Sequence, residues 1–296
     1  MRQVDQAASR YHWCAMKGLP YKGVFSRGFT LVEIVVVLLI FGVIVAMAAA
    51  ITRGVTASQK RSLTTTRIAG IDAALVQFVQ QQRRLPCPAD GTLASTANNV
   101  GLEGGRTAAG CTGTEQNGIV PWRALGLSET DASDGWDRRL TYRLDVRLGA
   151  DGGMDMSWCD PAGTEGGATP RACNVACTSA ALGNCTPPSA FLNKGLTIQN
   201  VAGTQVMAPP TTGAAYVVIS HGESGGGAYL YSGLVSVSTL TDGAEEQKNY
   251  ANLALRAYYV DDTLSDVSGA THFDDVVSRP SIMSVISKAG LAPRSH

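Results

Sequence analysis

Hydrophobic and polar positions divide the chain into one long helical stretch and a body of short alternating segments. Residues 34–51 carry no charged or strongly polar side chain, and Phe29–Val32 extend the run to about 23 residues, enough at 1.5 Å per residue to cross a hydrocarbon core of about 30 Å. Past the run, Ile68, Ile71, Leu75 and Phe78 or Val79 recur at intervals of three or four, which predicts an amphipathic helix. Its other face, with Lys60, Arg61, Arg67, Gln77, Gln81 and Arg84, reads as a solvated surface. No proline occurs between Phe29 and Leu85, so one helix of about 55 residues is allowed until Leu85–Pro88 ends it.

Beyond the helix the period changes. Residues 89–118 are rich in Gly, Thr and Asn and predict an irregular loop. A strand follows at Arg139–Leu148, with Leu140, Tyr142, Leu144 and Val146 on one face, and further strands are expected at Gly195–Val201, Ala214–Ser220 and Ala228–Val237. Glu245–Tyr259 fits either a helix or a strand. Pro280 and Gly290 bracket a short C-terminal helix. The expected class is α+β: a long N-terminal α-helix whose second half covers an antiparallel β-sheet, with residues 157–190 as a cysteine-rich insertion between strands.

Composition adds that the body is loop-rich, with Gly 33 and Pro 12 among 296 residues. The 24 basic and 24 acidic residues leave no basic footprint for nucleic acid. Within the apolar run the one charge is Glu33, which at bilayer depth costs about 2.5 to 3.5 kcal/mol and requires a partner or a snorkelling path. Ala46–Ala50 offers small-residue sites suited to signal-peptide cleavage, but the run is longer than an ordinary signal-peptide core of about 7 to 15 residues. Basic residues do not decide orientation: Lys17, Lys22 and Arg27 precede the span, and Arg53, Lys60, Arg61 and Arg67 follow it.

The stretch SRGFTLVE, Ser26–Glu33, with the apolar run behind it, resembles the type IV prepilin family of pilins, minor pilins and pseudopilins of type II secretion. The resemblance covers about residues 23–52. It implies a cytoplasmic leader, residues 1–28, cut after Gly28 by a prepilin peptidase, and N-methylation of the new first residue, Phe29. A glycine before the cut lets extended backbone enter a narrow protease cleft without a Cβ clash. The resemblance also implies that residues 29–51 lie in the inner membrane, that 52–85 form the amphipathic half of the helix, and that 86–296 are a periplasmic pilin-like domain. Glu33 then has a partner, the new α-amino group of Phe29 on a neighbouring subunit, and the pair favours assembly and sets axial register. The partners implied are the peptidase, other pilin or pseudopilin subunits, and an inner-membrane assembly platform with its cytoplasmic ATPase. The segment DGWDRRLTYR, Asp134–Arg143, is a weaker likeness to the D-x-W-G-x-x-x-x-Y stretch of major pseudopilins, because Asp137 stands where that pattern has glycine.

Cleavage changes two counts. Cys14 leaves with the leader, so seven cysteines become six: Cys87, Cys111, Cys159, Cys173, Cys177 and Cys185, an even set that fits an oxidising periplasm. Local spacing favours Cys87 with Cys111, the other four pairing within the insertion; a zinc reading of those four lacks C-x-x-C spacing and a nearby His. The leader also removes five basic residues and one acidic residue, leaving 19 against 23, which weakens a DNA-binding role. Major pseudopilins end in a glycine-rich loop and an acidic D-D-I/V segment that binds Ca²⁺, so the resemblance makes Glu223, Asp274 and Asp275 candidate Ca²⁺ ligands, against the alternative of solvated turn carboxylates. There is no H-E-x-x-H or P-loop, and catalysis is not expected. The sequence therefore favours a structural filament subunit, the alternative being a filament-tip binding module, an adhesin or DNA-uptake receptor.

Overall fold

The computed structural model describes residues 30–112, 118–156, 194–209, 213–240, 242–252, 257–265, 267 and 269–292, with the side chains of 48–54 outside the description. Helix α1 is Leu31–Gln82, and the chain divides between Thr52 and Arg53 into two compact units. In the first unit, Leu31 to Met47 present apolar side chains to solvent on every side of the helix. Among the described residues no helix is long and apolar enough to cross a membrane. Thr30 caps the start, its Oγ1 accepting from Glu33 N at 3.3 Å.

In the second unit α1 buries the predicted stripe: Ile68, Ile71, Leu75 and Val79 are all buried. The stripe passes through Val79, while Phe78 lies half-buried with the Arg84 guanidinium 5.1 Å above its ring. The helix stops at Gln82, just short of Leu85, because Arg83 turns to φ 57 and its amide bonds back to Val79 O at 2.7 Å. The basic face is not wholly solvated, since Arg67 Nη1 donates to the carbonyls of Ser133 and Asp134 at 3.2 and 2.8 Å.

The remaining elements in chain order are β1 (Ala89–Asp90), β2 (Arg106–Thr107), β3 (Gly110–Cys111), β4 (Gly118–Ile119), β5 (Thr141–Leu144), β6 (Ile198–Gln199), β7 (Gln205–Met207), β8 (Tyr216–Ser220), β9 (Tyr259–Val260), β10 (Val276–Ser278) and α2 (Ile282–Lys288). The main sheet is antiparallel throughout, in the order β1-β4-β5-β8-β10. A hairpin pairs β2 with β3, and a small sheet of order β7-β6-β9 includes one parallel pair, β6 with β9. The protein is thus a long helix followed by mainly antiparallel sheets, an α+β arrangement.

Strand β8 reads YVVIS because both of its faces are covered. Tyr216 and Val218 join the core beneath α1 and α2, with Leu140, Tyr142, Leu144, Val285 and Ile286. Val217 and Ile219 point the other way, into a cluster with Leu196, Ile198 and Tyr259. A strand buried on both faces shows a continuous apolar run rather than alternation. Its neighbour β5 gives its second face to Thr141 and Arg143, both buried.

Several expected strands are shorter. Arg139–Leu148 yields only four strand residues, because the Asp145 side chain accepts from Arg147 N and begins a 3-10 turn at Val146–Gly149. Ala228–Val237 is a turn rather than a strand: Tyr229 and Val235 form one isolated bridge around Gly233 at φ 81. Glu245–Tyr259 holds a 3-10 turn at Glu246–Asn249 and the start of β9. Helix α2 forms as expected, with Ser281 Oγ accepting from Ser284 N and Gly290 at φ 69 just past its end. Cys87 and Cys111 are joined by a disulfide. Cys14, Cys159, Cys173, Cys177, Cys185 and the 157–190 insertion lie outside the described residues. Asp137 sits at φ 62, in the left-handed region that asparagine, aspartate and glycine tolerate best, at the place where the major-pseudopilin pattern has glycine.

Candidate functional site

Two regions carry candidate chemistry. At the N-terminal end, Gly28 and Phe29 lie outside the described residues, and Glu33 occupies the first turn of α1 with its side chain exposed. A carboxylate in the first turn is favoured by the helix dipole.

The second region is buried at one end of the main sheet. Antiparallel pairing of β8 with β10 sets Ser220 opposite Val276, so His221, the next residue on one strand, comes beside Asp275, the preceding residue on the other. The two side chains meet with His221 Nδ1 3.8 Å from Asp275 Oδ1, and both are buried. His221 Nε2 lies 2.7 Å from Thr141 Oγ1 on β5. The glycine-rich loop after β8 then folds over the acidic pair: Ser224 donates through its amide to Asp274 Oδ2 at 2.7 Å and through its hydroxyl to Asp274 Oδ1 at 3.0 Å. Gly222, at φ 51, allows this approach, since a Cβ there would stand 2.3 Å from Asp274 O.

The 3-10 turn contributes the rest. Glu246 Oε1 accepts from Asp274 N at 2.8 Å, and its Oε2 lies 2.7 Å from His272 Nδ1. Asn249 donates to Asp275 Oδ2 at 2.7 Å and holds its own place by exchanging hydrogen bonds with the Val260 backbone. Asp242 accepts from Ser238 Oγ at 2.6 Å and from Tyr250 OH. Asp242, Glu246 and His272 bring donor atoms within 4.8 Å of one another, as do Glu246, Asp274 and Asp275.

Burial dominates the electrostatics. It pushes the Asp275 carboxyl well above the usual carboxylate range, and the charges of Glu246, Asp274 and Asp242 push the same way. Burial likewise pushes Glu246 up to about 7. At His272 burial opposes protonation, but the bond to Glu246 and the surrounding carboxylates prevail and raise its pKa. His221 goes the other way, pushed down to about 3 by burial with help from Arg138 and Arg143, so its imidazole is neutral.

Of the sequence candidates for Ca²⁺, Asp274 and Asp275 come together, and the glycine-rich loop does meet the acidic segment across some fifty residues. Glu223 does not join them: its side chain is exposed, and its carbonyl accepts from Arg138 and Thr239. Glu246 provides the third clustered carboxylate instead, with Asp242 and His272 adjoining. The signal for them lay in the spacings Asp242-Gly-Ala-Glu-Glu246 and His272-Phe-Asp-Asp275, two short acidic patches that only the fold brings together.

Residues 25–49 match the family model of the prokaryotic N-terminal methylation motif, the hallmark of type IV prepilin-like proteins. No curated protein and no solved structure matches the chain.

Proposed function

We propose that this chain is a structural subunit, a minor pilin or pseudopilin, of a type IV pilus-like or type II secretion filament. The observation that carries the reading is the junction of motif and helix. The methylation motif at 25–49 overlaps a helix that begins at Leu31 and displays an apolar surface on all sides to Met47, with Glu33 the one charge between Leu31 and Met47. Such a surface needs a non-aqueous environment, either lipid or the helices of neighbouring subunits.

In this account prepilin peptidase cuts after Gly28, Phe29 is N-methylated, and residues 29–51 hold the subunit in the inner membrane with the 86–296 domain in the periplasm. Assembly on a membrane platform driven by a cytoplasmic ATPase then transfers the helix into the filament core. There the Glu33 carboxylate pairs with the Phe29 amine of a neighbour. The role is mechanical rather than catalytic.

The test is a Glu33→Leu variant expressed beside its assembly partners. It is expected to be processed normally yet to be absent from sheared filaments; wild-type levels of incorporation contradict the role given to Glu33.

A further inference from the structure

We propose that the cavity between α1 and α2 binds a compact organic cation, a primary ammonium on an apolar body, with the Asp72 carboxylate as its counter-charge. This goes beyond the filament role and does not depend on it.

The cavity measures about 440 Å³ and lies wholly within the second compact unit. Small-molecule pockets have this size, with mostly apolar walls and a few convergent polar groups. Here the apolar walls come from Ala73 and Val76 on α1 and from Val285 on α2, and two charged residues reach the space, Asp72 and Lys288. With alanine at position 73, α1 leaves open what a longer side chain would fill.

Asp72 gives the cavity its preference. Its carboxylate accepts from Tyr216 at 2.9 Å and from Ser278 at 2.7 Å, and both donors are neutral hydroxyls. Among the described residues it has no ion-pair partner, although it is half-buried. A carboxylate withdrawn from water is costly unless a cation answers it. Burial is the largest influence on Asp72 and raises its pKa; the two hydroxyls offset part of that, and the charge of Lys288 acts most weakly. Lys288, exposed in the last turn of α2, thus compensates Asp72 little and meets an incoming ammonium as a like charge. An ammonium brings three donors, which can use the lone pairs that the two hydroxyls leave on Asp72. An anionic ligand would set its charge against a half-buried carboxylate, and a neutral one would leave that carboxylate unanswered.

The experiment uses the full chain in phosphatidylcholine nanodiscs at neutral pH. The probes are 2-phenylethylamine and its uncharged isostere 2-phenylethanol, titrated calorimetrically with empty nanodiscs as the blank. One amine per chain is expected, with a Kd of about 1 mM or tighter for so small a ligand. The alcohol is expected to bind at least about fivefold more weakly. Asp72→Asn keeps an acceptor for Tyr216 and Ser278 and is expected to bring the amine down to the level of the alcohol. Lys288→Gln, at an exposed position, is expected to do the opposite, tightening the amine about two- to threefold while leaving the alcohol unchanged. Ala73→Leu, at an exposed helix position, is expected to weaken both probes by more than about tenfold with Tm little changed. The proposal is overturned by no binding of the amine, by an amine that binds no tighter than the alcohol, by a preference for the amine that survives Asp72→Asn, or by binding that Ala73→Leu leaves intact.

Discussion

The hydroxyl of Tyr216 on β8 donates to Asp72 Oδ1 on α1 at 2.9 Å, while Ser278 on β10 donates to Oδ2 at 2.7 Å. One half-buried carboxylate thereby joins the helix to two neighbouring strands. Asp72→Ala leaves the Tyr216 hydroxyl buried without this partner and is expected to cost about 1 to 3 kcal/mol in chemical denaturation. Tyr216→Phe, which removes donor and hydroxyl together, is expected to cost less.

Asp72 also predicts a pH dependence. Burial raises its pKa above 3.8 despite the two hydrogen bonds that lower it. Between the unfolded and the raised folded value the native state binds more protons, so this group's contribution to stability falls as pH rises through that window. Asp72→Asn is expected to remove that slope. Unfolding curves of both proteins from about pH 4 upward should converge on the acid side; a difference that stays constant across the window argues against the assignment.

The Cys87–Cys111 bond closes a loop of sequence separation 24 and is packed under Gly149, where a Cβ would stand 2.5 Å from Cys111 Sγ. Its loss in a Cys87→Ser, Cys111→Ser double variant is expected to cost about 3 to 4 kcal/mol. Gly149→Ala is expected to destabilise the oxidised protein more than the double variant. Denaturant midpoints of the four combinations check both.

Gly135 marks a close approach of backbone to backbone. Its amide donates to Thr64 Oγ1 at 2.8 Å, and a Cβ there would lie 2.4 Å from Lys60 O on α1. Gly135→Ala must move the helix or the turn, so a loss of several degrees in Tm is expected, about 1 to 3 kcal/mol as for overpacking. Gly126→Ala is the control, since its Cβ meets nothing within 4 Å; it tests the strain of φ 70 alone.

Arg139 is a heavily engaged buried cation. Its guanidinium donates to Glu129, to Ser95 Oγ and to the carbonyls of Gly91, Leu93 and Tyr231, with its centre 5.4 Å from the Trp122 ring. Arg139→Met removes this whole set of bonds, Glu129 and the Tyr231 carbonyl keeping only Ser95 as donor, and is expected to cost about 3 to 5 kcal/mol. Arg139→Lys is expected to recover only part, because an ammonium cannot span the fork.

The helix was legible because its period is local: Ile68, Ile71, Leu75 and Val79 sit on one stripe whatever they pack against. The short C-terminal helix was legible for the same reason, from Pro280 and Gly290. Strand lengths were less so. Asp145 breaks β5 with its own side chain, and Gly233 turns the chain where an alternating segment suggested a strand. The buried cluster was only half legible. Asp274 and Asp275 showed as an acidic pair, but their meeting with Glu246 and His221 depends on β8–β10 register and a turn from a third segment, which no local period encodes. Glu223 is exposed, a direction that its place in the glycine-rich loop does not encode.

The central claim is that Glu33 lies at the fifth position of a processed, assembling subunit. The mass of the N-terminal peptide of the chain recovered from membranes or filaments tests it most directly. The account predicts a chain that begins at N-methyl-Phe29, with the preceding 28 residues gone. A chain that begins after Ala48 or Ala50, or still at Met1, contradicts it.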